Sequence, residues 1–157
     1  MSLFSFFARN IFAPAVLFCL STALLFTGCK TEPDSADTGF VPVGEWTAEW
    51  DSYTITNASV EYGDLKGDIE KAVDFSANAG VLIIKITASS GDFTVGKYTG
   101  IYYSEYTSTS INLANVWLEG SDGWYPLEAD SLSAAVSLFN VDNVGDHVSL
   151  WGGYTKK

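Results

Sequence analysis

Apolar and polar positions change rhythm twice along this chain. Residues 11–26 form a nearly unbroken apolar run behind a short start with one cation, Arg9; residues 30–44 are polar and acidic; from residue 45 onward apolar side chains return in short alternating stretches. The first run is interrupted by Pro14 and is shorter than the roughly 20 residues of a spanning helix, and no basic stop-transfer cluster follows it. It reads as a secretory signal, ending in the small residues Thr27 and Gly28 ahead of Cys29. The polar segment has little to bury and is expected to be a flexible tether.

The remaining stretches read as strands bounded by Gly, Asp, Asn and Ser. Residues 45–50 set Trp46, Ala48 and Trp50 against Glu45, Thr47 and Glu49, one apolar face and one wet. Strands are expected at 53–56 and 58–62, with a turn at 63–67. In 69–75 the spacing of Ile69, Ala72, Val73 and Phe75 fits a strand or a single helical turn. The β-branched run 81–86 is the expected central strand. Residues 97–106 place Tyr98, Gly100, Tyr102, Ser104 and Tyr106 on one face and Thr99, Ile101 and Tyr103 on the other; 111–118 is a further strand. One helix is predicted over 130–139, capped by Asp130 or Ser131, with Leu132, Ala135, Val136 and Phe139 as its apolar stripe. Residues 140–146 are turn-rich and 147–151 read as the last strand.

These elements predict a mainly β fold: seven or eight antiparallel strands in a curved sheet or small barrel, with one helix before the last strand and an open sandwich as the alternative. The expected organisation is a signal over 1–28, an acidic tether over 29–44 and a single β-rich domain over 45–157.

Charge narrows the partners. Cleavage before Cys29 removes the only arginine, leaving seven lysines against 19 carboxylates. Nucleic acid needs a basic stripe that is absent, and an acidic surface does not dock electrostatically on anionic lipid. Cys19 leaves with the signal, so the mature chain has one cysteine and no internal disulfide.

Phe26-Thr27-Gly28-Cys29 resembles the bacterial lipobox, with the phenylalanine found in the looser spirochaetal form. The resemblance implies cleavage before Cys29, acylation of Cys29 with palmitate-type chains, and a lipid-anchored place in the bacterial cell envelope. Lys30, in place of the aspartate of the sorting rule, points to the outer membrane, with the surface and periplasmic leaflets both open. Each buried methylene contributes about 0.8 kcal/mol, so two or three chains anchor firmly. Gly44-Glu45-Trp46 is similar to the opening of lipocalin-like barrels and implies Trp46 as a barrel-floor residue, although the late-strand arginine that stacks over it in lipocalins is missing. Residues 96–103, 113–115, 130–139 and 151–156 resemble small treponeme-type surface lipoproteins of unassigned function.

Catalytic and metal chemistry find little support. His147 is the only imidazole, and its neighbour Asp146 points to the opposite face of a strand. Zinc lacks ligands. Asn140, Asp142, Asn143 and Asp146 crowd a loop with hard oxygens, but their spacing misses the EF-hand order and the calcium question stays open. No cofactor is expected. Four Phe, five Trp and eight Tyr remain after cleavage. Trp46, Trp50 and Trp151 are expected in the core. Tyr102, Tyr103, Tyr106 and Trp124, beside polar loops, are the expected exposed ligand-binding residues. The functional expectation is a monomeric, non-catalytic binding module for protein, glycan or a small apolar ligand; the alternative is a coat component without a specific ligand.

Overall fold

A computed structural model describes residues 39–143 and 152–157. The expectations for the signal, Cys29, most of the tether, Asp146, His147, Trp151 and the strand at 147–151 lie outside these residues. No helix among them is long and apolar enough to cross a membrane.

Eight strands close into an antiparallel barrel. Seven follow one another as a meander: β1 (Gly44–Thr47), β2 (Ser52–Ile55), β3 (Ser59–Tyr62), β4 (Leu65–Ser76), β5 (Ala79–Ala88), β6 (Tyr98–Ser104) and β7 (Ser110–Asn115). The chain then leaves the barrel for a hairpin, β8 (Trp117–Gly120) and β9 (Gly123–Pro126), and for helix α1 (Leu132–Leu138). It returns as β10 (Gly152–Lys156), which pairs with β7 on one side and with β1 on the other. The ambiguous 69–75 stretch is strand, and the expected turn at 63–67 is shorter, since β4 already begins at Leu65.

Two apolar cores explain the sequence pattern. Inside the barrel, Trp46, Ile55, Leu82, Ile84, Ile101 and Leu113 pack among buried tyrosines. An eight-stranded barrel is just wide enough for its inward side chains to fill it. Outside, Val81, Ile83 and Tyr102 meet Ala135 of α1 and Phe139 at its C-cap. β5 is therefore covered on both faces, which is why 81–86 reads as a continuous apolar run rather than an alternation. Register shifts at Lys66/Gly67, Ile69/Lys71 and Asp74/Ser76 bend the long β4–β5 pair around the barrel.

The helix follows its sequence signals closely. Ser131 is its N-cap, its side chain accepting from the Ala134 N–H, and the predicted stripe faces the sheet, with Ala135 and Phe139 fully buried. Gly100 of β6 makes room for it: a Cβ there would meet the Phe139 ring at 2.8 Å.

One barrel end is closed by residues 39–43, which the sequence assigned to the tether. The Phe40 N–H donates to Asp74 at 3.0 Å, Tyr103 donates to Asp74 at 3.0 Å, and the Trp46 indole N–H donates to the Pro42 carbonyl at 2.8 Å. Hydrogen bonds to partners far along the chain are invisible to a composition argument, so the packed region begins earlier than Glu45. Lys156 of β10 lies 5.3 Å from the Trp46 ring centroid and donates to the Val43 carbonyl. A lysine thus occupies the place over the tryptophan where the sequence offered no arginine.

Candidate functional site

The opposite end of the barrel carries a pocket. There, where β1 turns into β2 and β7 leaves for β8, a cavity of about 270 Å³ is lined by Asp51, Tyr53, Tyr62, Asn115, Trp117 and Tyr154. Strand register assembles it. Tyr53 stands directly opposite Tyr62 in the β2–β3 ladder, and their rings stack at 4.2 Å between centroids. Tyr154, buried on β10, meets Tyr53 edge-on at 5.2 Å. Its ring needs the bare backbone of Gly152, where a Cβ would come within 2.8 Å of it.

Two side-chain acceptors stand at the mouth, one partnered and one not. Tyr62 and Tyr154 both donate to Asp51 Oδ2, at 3.0 and 3.1 Å. Asn115 continues the inward alternation of Ile111 and Leu113 on β7, which points its amide into the barrel mouth. The residue is only 8% exposed, and its Oδ1 is buried with no hydrogen-bond partner among the described residues. Such an orphan acceptor is unusual in folded proteins and costs about 1–3 kcal/mol.

Burial raises the Tyr62 and Tyr154 phenols above their ordinary pKa, and their hydrogen bonds to Asp51 raise them further. Burial likewise raises Tyr53, reinforced by the neighbouring Tyr154, Tyr62 and Asp51 and opposed by a hydrogen bond with the Asn115 side chain. All three therefore remain protonated donors at neutral pH. What the mouth offers a ligand is a carboxylate, a free amide oxygen and several aromatic surfaces, and no cation lines it among the described residues.

The tyrosines expected as exposed binders lie elsewhere. Tyr102 and Tyr103 are 0% and 1% exposed, a correction to the expectation that both are exposed. Tyr103 points into the barrel, and α1 covers the outer face that carries Tyr102. Tyr106 is half-buried against Phe40 and Trp46. Trp124 is exposed at 52%, on the β8–β9 hairpin beside Tyr125. Trp50, expected in the core, is 89% exposed, because the chain turns between β1 and β2 and takes it off the strand face. Around Asn140, the side-chain oxygen accepts from the backbone of Asp142 and Asn143, forming a turn. No group of three His, Cys, Asp or Glu side chains suited to a metal occurs among the described residues.

Sequence reasoning missed Asp51, Tyr53, Tyr62, Asn115, Trp117 and Tyr154 as a site. They come from five separate strands and the β1–β2 turn, and only the closure of the barrel brings them together. A weak signal existed in three tyrosines placed at or near strand ends, but it does not say which ends meet.

A larger groove of about 500 Å³ lies beside α1, lined by Lys97, Glu128 and Asp130. It is a shallow surface feature whose Lys97–Asp130 pair, at 3.3 Å, already neutralises itself.

Fold and site together define a closed eight-stranded barrel with a polar-aromatic mouth. No family model, curated protein or solved structure matches the chain.

Proposed function

We propose that this chain is a lipid-anchored bacterial envelope protein whose barrel mouth binds a small ligand without transforming it. The observation that carries the binding half is the buried Asn115 oxygen, unpartnered among the described residues and facing a cavity walled by tyrosines. A stable fold keeps such a group when something else donates to it. The anchoring half rests on the lipobox-like Phe26-Thr27-Gly28-Cys29, with the outer membrane as the destination.

Two measurements test the two halves separately. Metabolic palmitate labelling should mark the wild type and be lost in Cys29→Ala; label retained in that variant removes the anchor. Native mass spectrometry of the full chain taken from its own membranes should show a small organic adduct on the wild type and none on Trp117→Ala. A wild type that carries no adduct and takes up no small molecule in a chemically mixed panel removes the ligand site.

A second reading has one observation in its favour. Trp50, Trp124, Tyr125 and Leu118 are all exposed, and three of them share the hairpin that leaves the barrel. Amphipathic aromatics on a protruding hairpin suit a protein or glycan partner. Under that reading, Trp124→Ala abolishes capture of the partner and leaves the mouth cavity's ligand in place.

A further inference from the structure

We infer that the mouth cavity selects a small protonated amine, with Asp51 as counter-charge, Asn115 Oδ1 as acceptor for the ammonium N–H, and the surrounding rings as its walls. This rests on the small-ligand reading above and goes on to name the ligand's chemistry.

Three features of the site point the same way. Two of its acceptors stand open among the described residues: Asn115 Oδ1 is unpartnered, and Tyr62 and Tyr154 both donate to Asp51 Oδ2, so Oδ1 of the same carboxylate takes no hydrogen bond. A ligand that satisfies both oxygens brings at least two hydrogen-bond donors, as an ammonium group does. The faces and edges of Tyr53, Tyr62, Tyr154 and Trp117 surround the space, and aromatic faces attract cations more strongly as water is excluded. Among the described residues, no lysine lines the cavity to compete for Asp51.

The competing ligand classes fit less well. A phosphate or carboxylate would enter beside Asp51 with no cation among the described residues to receive it. A neutral sugar would satisfy Asn115 and stack on a ring, but it would shield the Asp51 charge from water without compensating it, which is costly. A metal ion would find one carboxylate and neutral oxygens. The volume sets the size: about 270 Å³ lies below the range of roughly 300–1,000 Å³ typical of drug-sized pockets, so the amine is small. The excess of carboxylates over lysines raises the local concentration of cations around the whole molecule and speeds their arrival.

The experiment compares three probes of one shape on the full chain near neutral pH: benzylamine, benzyl alcohol and benzoate, followed by calorimetry and tryptophan fluorescence. Benzylamine should bind saturably and about tenfold or more tighter than benzyl alcohol, the difference a hydrogen-bonded charge makes, and benzoate should not bind. In Asp51→Asn the ratio between amine and alcohol should collapse toward one. Should that variant fail to fold, Tyr154→Phe, which removes one of the two hydroxyls holding the carboxylate, should lower the same ratio. Alcohol binding as tightly as amine overturns the inference and leaves a small-ligand site standing. Failure of all three probes, together with the absence of any native adduct, removes the inference and the site alike.

Discussion

Asn115 is held in place at a cost, and that cost is measurable. Replacing it by leucine keeps the inward volume and deletes the orphan oxygen, so Asn115→Leu should raise the stability of the ligand-free chain by about 1 kcal/mol while weakening amine binding. Denaturant titration in the absence and presence of benzylamine reads both; a destabilised variant would mean that the amide is satisfied within the fold. Gly80 is the opposite case. A Cβ at this position would lie 2.5 Å from the Val73 carbonyl oxygen and 2.6 Å from the Tyr103 hydroxyl. Because the obstacle on one side is backbone, Gly80→Ala should cost about 1–3 kcal/mol and loosen the Tyr103–Asp74–Phe40 contacts that close the barrel end, as a drop in denaturation midpoint would show. At this scale the sequence was least legible. Tyr102 and Tyr103 sit beside polar loops and were expected outside, because nothing in a strand's own alternation reveals that a helix will cover its second face. Trp50 was expected inside because the alternation of 45–50 continues past the point where β1 ends.

Elements were more legible because their signals are local. The helix showed its cap and stripe, and the central strand its β-branched run; both lie where the pattern placed them. The β8–β9 hairpin was lost because Ile111, Leu113, Val116 and Leu118 read as one continuous strand, while the chain actually leaves the barrel after Asn115. Pairing of the residues that follow with β9 shows only in three dimensions. Helix α1 has seven residues, too short to persist without its packing surface, so its stability comes from the contact with β5 and β6. Phe139, fully buried against Gly100, is the centre of that contact. Phe139→Ala should cost about 3–5 kcal/mol and raise amide exchange in the helix before it does so in the barrel strands. Equal loss of protection in β5 and α1 would show that the helix is part of the barrel's own cooperative unit.

At the scale of the whole molecule, the described residues form a ring of eight strands whose seam is the short β1–β10 pair, where the strand pattern alone allows a curved sheet, a small barrel or an open sandwich. Closure depends on β10 returning from beyond the hairpin and helix to lie between β7 and β1, a pairing across more than a hundred residues that no local pattern encodes. The same ring gathers tyrosines into its interior and beneath the helix, and this sets how stability responds to alkali. Burial raises Tyr53, Tyr102, Tyr103 and Tyr154, Tyr102 to about 12, with hydrogen bonds to Asp74 and Asp51 adding to the effect at Tyr103 and Tyr154. A phenol whose folded pKa lies above the unfolded value of about 10 keeps its proton in the folded chain after the unfolded chain has released it. Its contribution is therefore complete below about pH 10 and is lost as pH rises through the folded-state pKa, at about 1.4 kcal/mol per pH unit for each proton held. Denaturation midpoints should stay level from neutral pH to about 10 and then fall steeply toward 12, with tyrosinate absorbance appearing together with unfolding rather than before it. Tyrosinate forming at an ordinary pKa in a chain that stays folded would place these rings in contact with solvent and open the interior that closure of the barrel requires to be filled.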